Sequence, residues 1–244
     1  MTANRADNER VHGKNLARQD PEIIWGWASP AGRQRAERRA KLITKGARLG
    51  QGKNVLEIGC GTGYFTEIFA GSGARILGVD ISPELVQLAS ERGLPPEMVR
   101  IEIKRFEECD LDGPFDAVIG SSILHHLELN DALSKIYNLL KPGGRFCFAE
   151  PNMLNPQIMA QKNIPWLKAA MGDSPDETAF FRWSLQKNLR EAGFVDIVIT
   201  PFDWLHPATP EFLIPLVSQI GRLLEKTPFL QEFAGSLIIQ CTRP

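Results

Sequence analysis

Short apolar runs alternate along the chain with stretches whose apolar residues recur at helical spacing. Val55-Leu56-Glu57-Ile58, Arg75-Ile76-Leu77-Gly78-Val79-Asp80, Met98 to Lys104, Phe194 to Ile199 and Gly235 to Cys241 read as strands. Gly32 to Arg48, Tyr64 to Ala70, the Ser82-Pro83-Glu84 start, Ala132 to Leu140 and Leu185 to Ala192 read as helices. Alternation of this kind predicts an α/β domain built on a parallel sheet. Three regions depart from it. Residues 1 to 20 are polar and charged without periodicity, which predicts a tail that is mobile unless a ligand orders it. From Met153 to Arg182 the pattern breaks at Pro156, Pro165 and Pro175, among Trp166, Phe180 and Phe181, and reads as a lid. Late in the chain, the aromatic loop Pro201 to Pro207 leads into an apolar stripe through Ile220, Leu223 and Leu224. Such a stripe can cover a hydrophobic acceptor or lie on a membrane surface, but without a dense basic face it is expected to pack onto the body or onto a second copy in a homodimer.

At 244 residues the chain fits one α/β domain with attached helices. The division expected is a tail and cap helices over 1–50, then a main domain over 51–244. Within the main domain, 153–183 and 201–226 cover the acceptor. A net charge of -1 gives no global reason to expect nucleic acid or anionic membrane as partner. The helix from Gly32 carries Arg33, Arg35, Arg38, Arg39, Lys41, Lys45 and Arg48, but without interleaved aromatics it reads as a solvated face. Ahead of it, Trp25 and Trp27 either roof a site or anchor the helix in the core. Cys60, Cys109, Cys147 and Cys241 are scattered with no C-x-x-C pair, so neither a disulfide framework nor a metal site is expected. No apolar signal region and no run of transmembrane length is present, and the expectation is a cytoplasmic protein.

The candidate chemistry starts at Glu57-Ile58-Gly59-Cys60-Gly61-Thr62-Gly63, a strand end, a glycine loop and then a helix. Its glycines fall at 59, 61 and 63, so the dinucleotide fingerprint, which needs a glycine at Tyr64, fails. A P-loop fails as well, because no Gly-Lys-Ser/Thr follows. An acid on the strand suits a ligand that carries positive charge. Asp80 ends the second strand about 20 residues downstream, where a carboxylate reaches a ribose in the related dinucleotide fold. Because Ser82 supplies a cap for the next helix, Asp80 is not needed for that purpose.

The run from Glu57 to Gly63 closely resembles the first motif of class I S-adenosylmethionine-dependent methyltransferases. Phe115 to Ser122 is similar to the family's fourth strand, and Lys141-Pro142-Gly143-Gly144 with Arg145 to Glu150 to its last turn and fifth strand. The resemblance implies a doubly wound seven-stranded mixed sheet flanked by helices, with an N-terminal helical cap. It implies S-adenosylmethionine held by Glu57, Gly59, Cys60, Gly61, Thr62, Gly63, Asp80, Ile81, Phe106, Glu107 and Ser121. Arg105 and Phe106 stand where the family has an Asp and a small residue, so Phe106 either stacks on the adenine or plugs the core. Ser121-Ser122-Ile123-Leu124 replaces the Asn/Asp-Pro-Pro-aromatic sequence of amino-directed nucleic-acid methyltransferases, which points to a small-molecule acceptor. The resemblance implies that the Leu-His-His-Leu run shapes the pocket more often than it supplies a base. Of the two neighbours, which cannot share one direction, His125 is the better catalytic candidate, its ordinary pKa being near neutrality. Glu150 either binds the acceptor or is the strand's exposed end. Other readings are a nucleic-acid enzyme using the basic helix and a cofactor-binding module without turnover.

Overall fold

The computed structural model describes residues 3–171, 173–174 and 177–244, with side chains from Asp7 onward. Pro175, one of the breaks in the lid, lies outside the described residues, as do the first two residues of the tail. Seven strands form one sheet in the order β3-β2-β1-β4-β5-β7-β6. They are β1 (Asn54–Ile58), β2 (Arg75–Asp80), β3 (Val99–Ile103), β4 (Phe115–Ser121), β5 (Leu140–Pro151), β6 (Val195–Phe202) and β7 (Ser236–Thr242). The first five run parallel, and β7 is antiparallel to both β5 and β6. The order reverses between β1 and β4, and a crevice opens at the carboxyl ends of strands at such a point.

Alternation along the strands fills both faces. Leu56, Ile58, Val118, Phe146 and Phe148 point to one side, among Leu133, Ile136, Leu185 and Leu189. Val55, Ile76, Ala117, Ile119 and Cys147 point to the other, against Ala40, Ile43 and Phe69. A parallel sheet covered on two faces requires this double apolar lining. Helices α4 (Tyr64–Ala70) and α5 (Pro83–Glu91) follow β1 and β2, while α6 (Leu129–Leu139) and α9 (Arg182–Glu191) belong to the opposite layer.

The basic helix is α3 (Pro30–Ala47), with Ser29 Oγ accepting from Gly32 N at 2.9 Å. Its expected solvated face holds at Arg33, Lys41, Lys45 and Arg48, which are exposed, and is corrected at three other positions. Arg35 Nε lies 2.8 Å from Asp203 Oδ2, Arg38 forms a two-pronged pair with Glu225, and Arg39 is buried. Three of the cations needed for nucleic acid are thus spent inside the protein.

The tail is also corrected: residues 3–17 form helix α1 (Ala3–Ala17), which packs on α5. A Cβ on Gly13 would stand 2.6 Å from Ser82 Oγ, so glycine is what allows the approach. Among the described residues Leu16 is its one buried apolar side chain, which is why no periodicity betrayed it. In the lid, Pro156 and Pro165 begin α7 (Pro156–Asn163) and α8 (Pro165–Ala170). Proline at the first helical position forgoes an N–H that has no partner there anyway, so these prolines start helices. Helix α10 (Ile214–Leu224) buries Ile214 and Gly221 against the body, while Phe212, Leu216, Ile220 and Leu223 stay exposed. Among the described residues no helix is long and apolar enough to cross a membrane.

Candidate active site

A cavity of about 650 Å³ lies over the carboxyl ends of β1, β2 and β4. Its first wall is the glycine loop. Gly59, Gly61 and Gly63 all adopt positive φ, and a Cβ on Gly59 would meet Ile123 at 2.5 Å. Gly59 and Cys60 N–H groups donate to Val79 O, Gly61 N–H to Asp80 Oδ2 at 2.9 Å, and Gly63 N–H to Cys60 O. With these four N–H groups already satisfied the loop is a poor phosphate cradle, which agrees with the failed dinucleotide spacing.

Asp80 lies at the cavity wall, held by Gly61 N–H and by Ser82 N–H at 2.9 Å. Both roles weighed for it are therefore present, the turn contact to Ser82 and an acceptor facing the cavity. Each of its oxygens keeps capacity for another donor. Burial raises its pKa, against the two backbone donors. Cys60, Thr62, Ile81, Phe106, Glu107 and Ser121 share this wall. Phe106 is buried in the core and faces the cavity as well, so plug and wall are one residue. Trp25 stands across from Gly61 as a roof, whereas Trp27 is buried edge-on against Phe65.

Two expected cofactor residues do not reach the cavity. Gly63 turns toward α5, where a Cβ would lie 3.1 Å from that of Ala89. Glu57 is buried beneath the loop because its position on β1 points into the helical layer, with Thr66 beside it. Burial pushes its pKa up to about 7, and Asp80 adds to the rise.

Arg39 is the residue that the sequence concealed. Its Nη1 donates to Ser121 Oγ, Ser122 Oγ and Ala149 O, and its Nη2 to Ser236 Oγ at 2.6 Å. Its Nε is buried without a hydrogen-bond partner among the described residues. Burial, with Arg35 nearby, lowers its pKa to about 10. Ser122, beside it, holds a strained φ of 57°.

At the far end, a single turn over Leu124–His126 follows β4. Glu150 is wholly buried and does not line the cavity, which corrects both of its expected roles. Its Oε1 accepts from Ile123 N–H at 3.0 Å and Leu124 N–H at 2.9 Å, and its Oε2 lies 2.6 Å from His125 Nδ1. It positions the turn. His125 Nε2 faces Glu177 Oε1 at 3.5 Å. Burial alone would lower the pKa of His125, but hydrogen bonds to Glu150 and Glu177 outweigh it and raise the value to about 9. The expectation of a base near neutrality is corrected accordingly. Both imidazoles line the cavity with centroids 4.2 Å apart, so two neighbours do face one site. Glu9 of α1 lies 3.1 Å from His126 Nδ1. Glu9, Glu177, Lys162 and Asp173 escaped sequence reasoning, being drawn from α1 and the lid with no spacing to connect them.

The chain matches the model of a methyltransferase domain over residues 56–148. It is 29% identical over 221 residues to an O-methyltransferase, cnsE, of Penicillium expansum, covering 84% of this chain and 78% of that protein. It is 31% identical to erythromycin 3''-O-methyltransferase of Saccharopolyspora erythraea, over 66% of this chain and 56% of that one. The match thus spans little more than half the length of that second relative. Among solved structures, the N-methyltransferase NodS of Bradyrhizobium japonicum with S-adenosyl-l-homocysteine superposes with a TM-score of 0.64 at 18% identity. That similarity, over 97% of this chain and 99% of NodS, concerns the fold.

Proposed function

The chain belongs to the class I S-adenosylmethionine-dependent methyltransferases, with S-adenosylmethionine as cofactor, and from that premise we propose that it methylates a small, partly apolar molecule seated at the His125 end of the cavity. The observation that carries the proposal is a shared space. The glycine loop with Asp80 and the His125 turn wall one cavity, so donor and acceptor subsites adjoin.

The residues present fit the cofactor. Asp80 offers the acceptor capacity for a ribose diol, with Cys60, Gly61 and Thr62 beside it. Ile81 and Phe106 provide the apolar surface for a base, and Glu107 a polar edge. Arg39 supplies the cation for a carboxylate, next to Ser121. When bound, the cofactor presents an activated methyl group on a sulfonium. The chain's own task is alignment and exclusion of water, which in well-oriented reactions is worth on the order of 7–11 kcal/mol. Trp25, α1 and α7 close the space from solvent. His125, pinned by Glu150, orients the acceptor from its buried position.

Placement in the cytoplasm is supported by four unpaired cysteines, and pairing as a homodimer by the exposed stripe of α10. The direct test is calorimetry of S-adenosylmethionine with the whole chain, then transfer of labelled methyl to fractionated small molecules. Absence of cofactor binding overturns the proposal; label found only in RNA or DNA transfers it to the nucleic-acid reading.

A further inference from the structure

We propose that His125, His126 and Glu177 form a binding site for a divalent first-row transition metal ion at the acceptor end of the cavity. One ligand atom from each lies within 4.8 Å of the other two. His125 Nε2 and Glu177 Oε1 are already 3.5 Å apart. Bonds of about 2.1 Å to a tetrahedral ion set ligand atoms about 3.4 Å apart, so this edge is preformed. The third ligand closes by a shift on the order of 1 Å.

The surroundings favour a metal. Glu150 Oε2 sits 2.6 Å from His125 Nδ1, which directs Nε2 into the cavity. A carboxylate behind a ligating imidazole is the usual outer support of a metal site, fixing both tautomer and ring orientation. Glu9 Oε2 stands 3.1 Å from His126 Nδ1 and adds negative charge beside the second imidazole. Three carboxylates, Glu9, Glu150 and Glu177, lie against the two imidazoles. Lys162 meets Glu177 Oε1 at 2.5 Å and Asp173 Oδ2 at 2.8 Å, and Lys168 binds the Glu177 carbonyl. Lys162 therefore shares Glu177 with the ion, using one direction of an oxygen that has two. An ammonium-bearing acceptor is the competing occupant, but imidazole nitrogens coordinate a metal far better than they solvate an ammonium. Two nitrogen ligands also disfavour magnesium and calcium, which take oxygen.

No expectation of a metal arose from the chain alone, because 50 residues separate Glu177 from the adjacent histidines. An ion held here would present an open position toward the cavity, where an acceptor oxygen enters as a further ligand. That role rests on the methyl-transfer reading; the binding does not.

The test titrates Co²⁺ into chelator-treated full-length protein, with any purification tag removed, and follows visible absorption, with Zn²⁺ calorimetry in parallel. One ion per chain is expected. Glu177→Gln and His126→Ala should each weaken binding more than tenfold. Glu150→Gln, which touches no ion, should weaken it about 10–100-fold. Gly61→Arg should leave metal affinity unchanged while removing cofactor binding. Circular dichroism checks that each variant is folded, and Glu9→Gln offers a milder second probe if Glu177→Gln is not. Failure to bind Co²⁺ or Zn²⁺, or affinity indifferent to all these substitutions (an adventitious ion only), overturns the proposal. Metal binding with no cofactor binding overturns the methyl-transfer reading and leaves the metal site standing.

Discussion

The two ends of the cavity are built in opposite ways. The wall proposed for the cofactor comes chiefly from one run of chain, 54–82, in which a strand, a loop, a helix and a second strand follow without interruption. The wall proposed for the acceptor draws Glu9 from α1, His125 and His126 from the turn after β4, Lys162 from α7, and Trp204 and His206 from the loop after β6. The first is local in sequence and the second is not. Local walls depend on backbone conformations that a few residue types permit; distant ones depend on how whole layers pack.

Substitutions that break each wall should therefore differ in kind. The largest effect is expected at Gly61, whose φ of 52° strains any side chain and which faces Trp25, so that a long side chain would fill the cavity between them. Gly61→Arg should weaken S-adenosylmethionine binding more than 100-fold by calorimetry, and a smaller loss would mean that the loop is not the cofactor wall.

Next comes the buried acid beneath the loop. Glu57 has a folded pKa near 7 against an ordinary 4.5, so its contribution is complete below about pH 4.5 and is lost as pH rises through about 7. Over that window the free protein should lose on the order of 2–3 kcal/mol. Glu57→Gln should flatten the slope of melting temperature against pH; identical slopes would refute the buried-acid account.

Asp80→Asn keeps the size of the side chain but loses charge and acceptor capacity. A rise in cofactor Kd of about tenfold is expected, in line with a hydrogen bond to a charged group. On the acceptor side, Gly13→Val should push α1 off Ser82 and raise acceptor KM severalfold. Cofactor affinity should change less, and if both moved together α1 would belong to the donor wall. The smallest effect is expected on the outer face of α10, where Ile220→Glu should alter stability by no more than about 0.5 kcal/mol. Sedimentation would show whether the same change dissociates a dimer.

Much of the cofactor end was legible. Glycine spacing excluded a pyrophosphate site, and the occupied N–H groups of the loop give the reason. Asp80 was placed from its distance along the chain. Glu57 and Gly63 were read as cofactor contacts, yet one supports the loop from below and the other packs against α5. Spacing identifies which residues a motif contains, but not which side of the backbone each faces. Arg39 was hidden for another reason. On a helix with six basic residues, nothing in composition distinguishes the one that the sheet draws inward.

The chain by itself determined the strand–loop–helix at 55–70 and the parallel run of the early strands, and its resemblance to a known family implied the ligand of the loop. The first two follow from periodicity and from backbone angles that glycine adopts without strain, both of which act over a few residues. Tertiary structure alone decided that a polar tail becomes a helix over the cavity, that prolines in the lid begin helices, and that Glu150 serves His125 instead of a substrate. It also decided that two histidines meet a glutamate from the lid. Those outcomes depend on packing between segments far apart in the chain, where burial sets both the direction and the charge of each side chain.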